Sequence, residues 1–114
     1  MSAITTHVLD LSLGKPGAGI PVRLEHRSES GSWQTIGDGV TDEDGRINGL
    51  VPAGRDLEPG HYCLGFETGN YFLKHKVDCF FQQVTISFVV MDPAQHYHVP
   101  LLLSPFGYST YRGS

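Results

Sequence analysis

The stretch "HYHVPLLLSPFGYSTYRGS", residues 96–114, decides the class of fold. Its first half alternates: Tyr97, Val99, Leu101 and Leu103 fall on one side of an extended chain, and His96, His98, Pro100 and Leu102 on the other. Side chains two apart share a face of a strand, so this is a β-strand with one strongly apolar face. Ser104-Pro105-Phe106-Gly107 then reads as a turn, and "GYSTYRG" as a returning strand. Chain ends ordinarily fray into solvent. This one stays rich in ring, cation and hydroxyl through Tyr111, Arg112, Gly113 and Ser114.

The same period of two recurs along the chain. "AITTHVLDL" puts Ile4, Thr6 and Val8 on one face and Thr5, His7 and Leu9 on the other. "PVRLEHR", "SWQTIGDGV", a short segment after the turn in "TDEDGRING", "GHYCLGFET" and "VTISFVV" read as further strands. They are cut apart by 14 glycines and 7 prolines, and Gly14-Lys15-Pro16-Gly17 is read as a loop. In "TGNYFLKHKVD", Tyr71, Phe72 and His75 fall at helical spacing behind Thr68 and Asn70 as caps. The pattern predicts an all-β, eight-stranded β-sandwich with one short α-helix. "VTISFVV" is apolar on both faces, so its edge is expected to be paired, with its own copy across a two-fold axis.

At 114 residues the chain is expected to be a single domain over residues 1–114. It can bury roughly two-thirds of its unfolded surface, with little to spare. Eight Lys and Arg against 12 Asp and Glu give a net charge of -4 without a basic block, which argues against nucleic acid or an anionic membrane as partner. Cys63 and Cys79 are not in close metal-ligand spacing and read as reduced thiols. "MSAITTHVLDL" lacks a charged region followed by a long apolar one, and no segment approaches a membrane span, so a cytoplasmic location is expected.

Parity places His7 and His98 on the less apolar sides of their strands but does not make them neighbours. A strand histidine is by default a hydrogen-bonded or solvated imidazole. Were the two adjacent, they would offer an acid–base pair or half a metal site. No third ligand, Cys-x-x-Cys or His-Glu-x-x-His is present, so metal ranks below acid–base chemistry and no cofactor is expected. Arg46, after the Asp44-Gly45 turn, is by default solvated; held rigidly, it would grip a carbonyl or an anionic ring. No Gly-x-Ser-x-Gly elbow supports a serine nucleophile, which leaves Ser114 as a hydrogen-bonding group.

Two long motifs at opposite ends, "HVLDLSLGKPGAGIPV" and the last nineteen residues, resemble the signature regions of the transthyretin family. The terminal "YRGS" resembles that of its 5-hydroxyisourate hydrolase branch, and "TDEDGRI", "GHYCLGFETGNYF" and Phe80-Phe81 follow in the family's order. The resemblance implies a catalytic group of His7, Arg46, His98 and Ser114. It implies substrate contacts from His7, Arg46, Tyr111, Arg112 and Gly113, and no metal. It also implies a homotetramer, a dimer of dimers, with these strands lining a channel and the last serine meeting the substrate. The implied reaction is hydrolysis of 5-hydroxyisourate to 2-oxo-4-hydroxy-4-carboxy-5-ureidoimidazoline, with either histidine as the base. The alternative is a non-catalytic carrier of small aromatic ligands on the same fold. The carrier has lysine where this chain has His7, an acidic residue where it has Arg46, and a longer tail without "YRGS".

Overall fold

The computed structural model describes residues 3–114; Met1 and Ser2, part of the stretch read for a leader, lie outside the described residues. Eight strands run as β1 Ile4–Asp10, β2 Lys15–Pro16, β3 Pro21–Arg27, β4 Trp33–Val40, β5 Gly60–Phe66, β6 Val84–Val90, β7 Tyr97–Ser104 and β8 Gly107–Thr110. One helix, α1 Thr68–Lys74, lies between β5 and β6. The strands form two four-stranded sheets, ordered β2-β1-β7-β8 and β4-β3-β5-β6. The expected sandwich with a single short helix is therefore present. The membership of its eight strands differs in two places. Lys15–Pro16, expected in a loop, pairs with Leu9 and Asp10 as β2, whereas the segment after the Asp44-Gly45 turn makes only an isolated bridge between Arg46 and His7.

Alternation sets the faces as expected. Ile4, Thr6, Val8 and Asp10 of β1 are buried, and Thr5, His7 and Leu9 are half-buried between them. On β7 the buried set is Tyr97, Val99, Leu101 and Leu103, joined by Pro100 from the opposite face. These side chains meet Leu24, Leu64, Phe66 and Val84 of the second sheet in one core. Burial of this kind stabilises by roughly 25 cal/mol per Å² of apolar surface. The polar groups inside are satisfied: Thr6 Oγ1 donates to the Val99 carbonyl at 2.6 Å. Tyr71 donates its hydroxyl to Asp10 Oδ2 at 2.6 Å. That tyrosine and Phe72 are the buried side of α1.

The expected caps of α1 are not the caps observed. Glu67 occupies the N-cap without a side-chain hydrogen bond. Thr68 is already the first helical residue, and its hydroxyl donates instead to the Phe81 carbonyl at 3.2 Å. Burial of Tyr71 and Phe72 against the sheets, rather than capping, anchors this short helix. No helix among the described residues is long and apolar enough to cross a membrane.

Two features of topology position the site. β1 and β7 pair in parallel, with Thr5 opposite His98 and His7 opposite Pro100. β7 and β8 form a hairpin closed at Ser104 and Gly107, after which the chain returns to bridge Gly113 to His98. β6 and β8 each have a single sheet neighbour, which leaves one side of each as an open edge.

Candidate active site

Thr5, His7, His98 and Pro100 project from one face of the β1–β7 pair, because paired residues in register share a face. Two returning segments close on this patch from opposite directions. From one side comes the turn at 42–46: Asp42 Oδ1 accepts the Asp44 amide at 2.9 Å and the Arg46 amide at 3.0 Å, while the Asp42 amide donates to the Arg46 carbonyl at 2.8 Å. Gly45 makes the approach possible. Its φ is +77°, and a Cβ there would lie 2.3 Å from the Val8 carbonyl oxygen and 3.3 Å from His7 Cδ2. The turn is thereby stitched to β1, with Val8 donating its amide to the Gly45 carbonyl at 2.8 Å, and Arg46 is delivered beside His7.

From the other side comes the carboxyl-terminal segment. Gly113 donates its amide to the His98 carbonyl at 2.8 Å, which brings Ser114 to the same cleft as Thr5, Thr6, Arg46, Ile47, Asn48, His96 and His98. The cleft holds about 260 Å³. The Arg46 side chain is exposed at its lip, and no ion pair among the described residues occupies its guanidinium.

His98 is half-buried, and burial pushes its imidazole below the ordinary 6.5, helped by the nearby charges of Arg46, His7 and His96. Its neutral form is thus favoured at neutral pH, as a general base requires. Its Nδ1 lies 2.8 Å from Thr5 Oγ1, whereas Nε2 has no hydrogen-bond partner among the described residues. The same threonine oxygen lies 3.1 Å from His96 Nε2.

The structure thus brings Arg46, His98 and Ser114 to one cleft, while His7 and Gly113 adjoin it through their bridges to Arg46 and His98 without lining it. It does not bring Tyr111 and Arg112 to that cleft within the chain. Both line a separate cavity of about 260 Å³ beside Ile86, Phe88 and Val89 of β6. Arg112 lies 4.5 Å above the Tyr97 ring and donates to Gln95 Oε1 at 2.9 Å, so it ties the carboxyl-terminal segment to the start of β7. Among the described residues no group of three His, Cys, Asp or Glu side chains is placed to hold a metal ion. Thr5, His96 and Asn48 line the cleft without having been singled out as site residues. For Thr5 and His96 the signal was available, since each shares a strand face with His7 or His98.

A family model described as HIUase/Transthyretin matches residues 4–113. The chain belongs to the HIUase/Transthyretin family. Among its relatives is the 5-hydroxyisourate hydrolase of Salmonella dublin, 46% identical over 111 residues, which cover 97% of this chain and 80% of the relative. The solved 5-hydroxyisourate hydrolase of Klebsiella pneumoniae is 38% identical, with a TM-score of 0.83 over 97% of this chain and 92% of that one. Sea bream transthyretin, solved in complex with thyroxine, superimposes with a TM-score of 0.91 at 28% identity, covering 98% of this chain and 95% of that one. Backbone similarity alone therefore does not separate the two kinds of HIUase/Transthyretin member, and the site residues have to.

Proposed function

We propose that this chain hydrolyses 5-hydroxyisourate, with His98 as the general base and Arg46 as the oxyanion-stabilising group. The observation that carries the reading is the cleft itself: a half-buried imidazole of lowered pKa beside a guanidinium without an ion-pair partner among the described residues. Ring opening of a cyclic amide needs both an activated water and a stabilised oxyanion. Nε2 of neutral His98 takes a proton from water as the oxygen attacks the amide carbonyl. Arg46 donates to the developing oxyanion from a backbone position that its turn fixes. As the carbon–nitrogen bond breaks, the imidazolium returns the proton to the leaving ring nitrogen, and the product carries a carboxylate. His7 and the Ser114 hydroxyl orient the substrate.

The reading extends to a homotetramer built as a dimer of dimers. Supporting it are the open edges of β6 and β8 and exposed apolar side chains at Leu11, Leu13, Val89, Phe106 and Tyr111. In such an assembly Tyr111 and Arg112 contact substrate from a neighbouring subunit. Light scattering should then give a mass about four times the 12.5 kDa of the chain; a monomer would end this part of the proposal. The reading also takes the 114 residues as one domain and includes a cytoplasmic location, consistent with Cys63 and Cys79 as free thiols.

A carrier of small aromatic ligands is the competing reading, and the clustering of His7, Arg46 and His98 is what favours chemistry over carriage. The deciding experiment generates 5-hydroxyisourate from urate in situ and follows its ultraviolet absorbance. Acceleration over spontaneous decay is expected, and equal rates with and without the protein would overturn the assignment.

A further inference from the structure

The surroundings of Thr5 deepen the hydrolase reading, and rest on it. An imidazole can act as a base at Nε2 only when its proton sits on Nδ1, and a free ring samples both tautomers. Something must therefore hold His98 in one form. Thr5 stands opposite His98 in the parallel register, with its oxygen 2.8 Å from His98 Nδ1 and 3.1 Å from His96 Nε2. A hydroxyl has one proton to donate and lone pairs to accept with, so its contacts with two rings couple their tautomers.

If the hydroxyl donated to His98, the ring's proton would sit on Nε2 and add a positive edge to a cleft that already holds the Arg46 guanidinium. If it accepts from His98 Nδ1–H, its own proton is free for His96 Nε2, and a bare lone pair remains at His98 Nε2. Both arrangements satisfy the two short contacts, because in the first the hydroxyl can accept from His96 Nε2–H; only the second leaves a lone pair, not a proton, in the field of Arg46. Threonine suits the task, because its branched Cβ restricts χ1 and so limits where the hydroxyl can point.

We propose that Thr5 is the positioning residue of His98: its hydroxyl accepts the Nδ1 proton and donates to His96, which keeps His98 Nε2 bare for the attacking water. During the reaction the water proton arrives at Nε2 while the Nδ1 proton stays on its nitrogen. The Nδ1–H···O bond becomes charge-assisted as the imidazolium forms, and its stabilisation grows in the transition state. His96, exposed just before β7, serves as the outer acceptor, with its Nε2 engaged by Thr5.

Imidazole nitrogen NMR on the unaltered full chain tests the assignment without any variant: both His98 and His96 should carry their proton on Nδ1 while neutral. A proton on His98 Nε2 overturns it. Thr5→Val should bring signal for Nε2-protonated His98 and lower kcat for 5-hydroxyisourate about 10-fold, with KM changed less than about twofold; Thr5→Ser should restore tautomer and rate. A Thr5→Val protein that keeps both the tautomer and the kcat of the parent also overturns it. Failure of the unaltered chain to accelerate 5-hydroxyisourate decay would instead remove the hydrolase reading, and the tautomer measurement would still decide what Thr5 does to His98.

Discussion

Gly113 lies against the side chain of His98 so closely that a Cβ at position 113 would stand 2.6 Å from Cδ2 and 3.3 Å from Cγ of its ring and 3.4 Å from its Cβ. The carboxyl-terminal segment thus forms one wall of the base's seat. Gly113→Ala should push the ring off Thr5 or lift the segment that carries Ser114. We expect kcat to fall by about 10-fold or more, since small misplacements of reacting groups are costly, with the thermal midpoint nearly unchanged. Parent-like turnover would show that the wall gives way without moving the base.

The depressed pKa of His98 predicts the shape of the pH profile. The base must be neutral, so kcat/KM should fall with falling pH along an acid limb centred below the ordinary 6.5, the lowering being set mainly by burial. Because the unfolded chain takes up this proton more readily than the folded one, stability should also decline as pH falls through about 6.5, levelling off below the folded value. Rate profiles and denaturant melts across this range check both limbs. An acid limb centred above 6.5 would contradict the assignment of His98 as base.

Arg46 enters that prediction twice. Arg46→Met removes the proposed oxyanion donor, so kcat should drop by about 100-fold or more. It also removes one of the positive charges that depress His98, so the acid limb of the residual activity should move to higher pH. Loss of rate with an unmoved limb would mean that the guanidinium binds substrate without influencing the base.

Away from the cleft, Asp10 is buried with its carboxylate fully engaged. Oδ1 accepts from Ser12 at 2.9 Å through the amide and 2.5 Å through the hydroxyl, and from the Leu13 amide at 3.3 Å. Oδ2 takes the Tyr71 hydroxyl at 2.6 Å. Burial opposes the charge, yet these bonds hold its pKa below 3.8. Tyr71→Phe should cost about 1–3 kcal/mol and lower the thermal midpoint by roughly 5–10 °C at matched protein concentration, with catalysis unchanged. Calorimetry showing no shift would mean that the carboxylate finds another donor.

The open edge of β6 offers the last test. Val89, 49% exposed, would be covered if this edge meets a second subunit, and Val89→Glu would then bury a charge. Light scattering should register a smaller assembly. An unaltered mass would place the contact elsewhere.

Much of the fold was legible because two-residue periodicity is local. The faces of β1 and β7 follow from their own sequences, β3 and β6 begin and end where alternation and turn residues say they should, and β4 begins one residue later than expected. The departures have local causes as well. Two residues at Lys15–Pro16 are too few to show a period, and they become a strand only because β1 offers an edge. Thr68 has the chemistry of a cap, but the Phe81 carbonyl claims its hydroxyl.

For the site, the sequence by itself determined which residue types were available and on which strand faces they stand. The resemblance to the transthyretin family supplied which of them to watch. Tertiary structure alone decided that Thr5 faces His98 across a parallel pair, that Arg46 bridges to His7, and that Gly113 bridges to His98. The physical reason is that alternation constrains each strand separately, whereas partner and register are chosen by how two whole sheets bury their apolar faces against each other. The same difference explains why the Thr5 contact was missed. A hydroxyl shared between two imidazoles exists only once residues some ninety positions apart in the chain have been brought within hydrogen-bond reach.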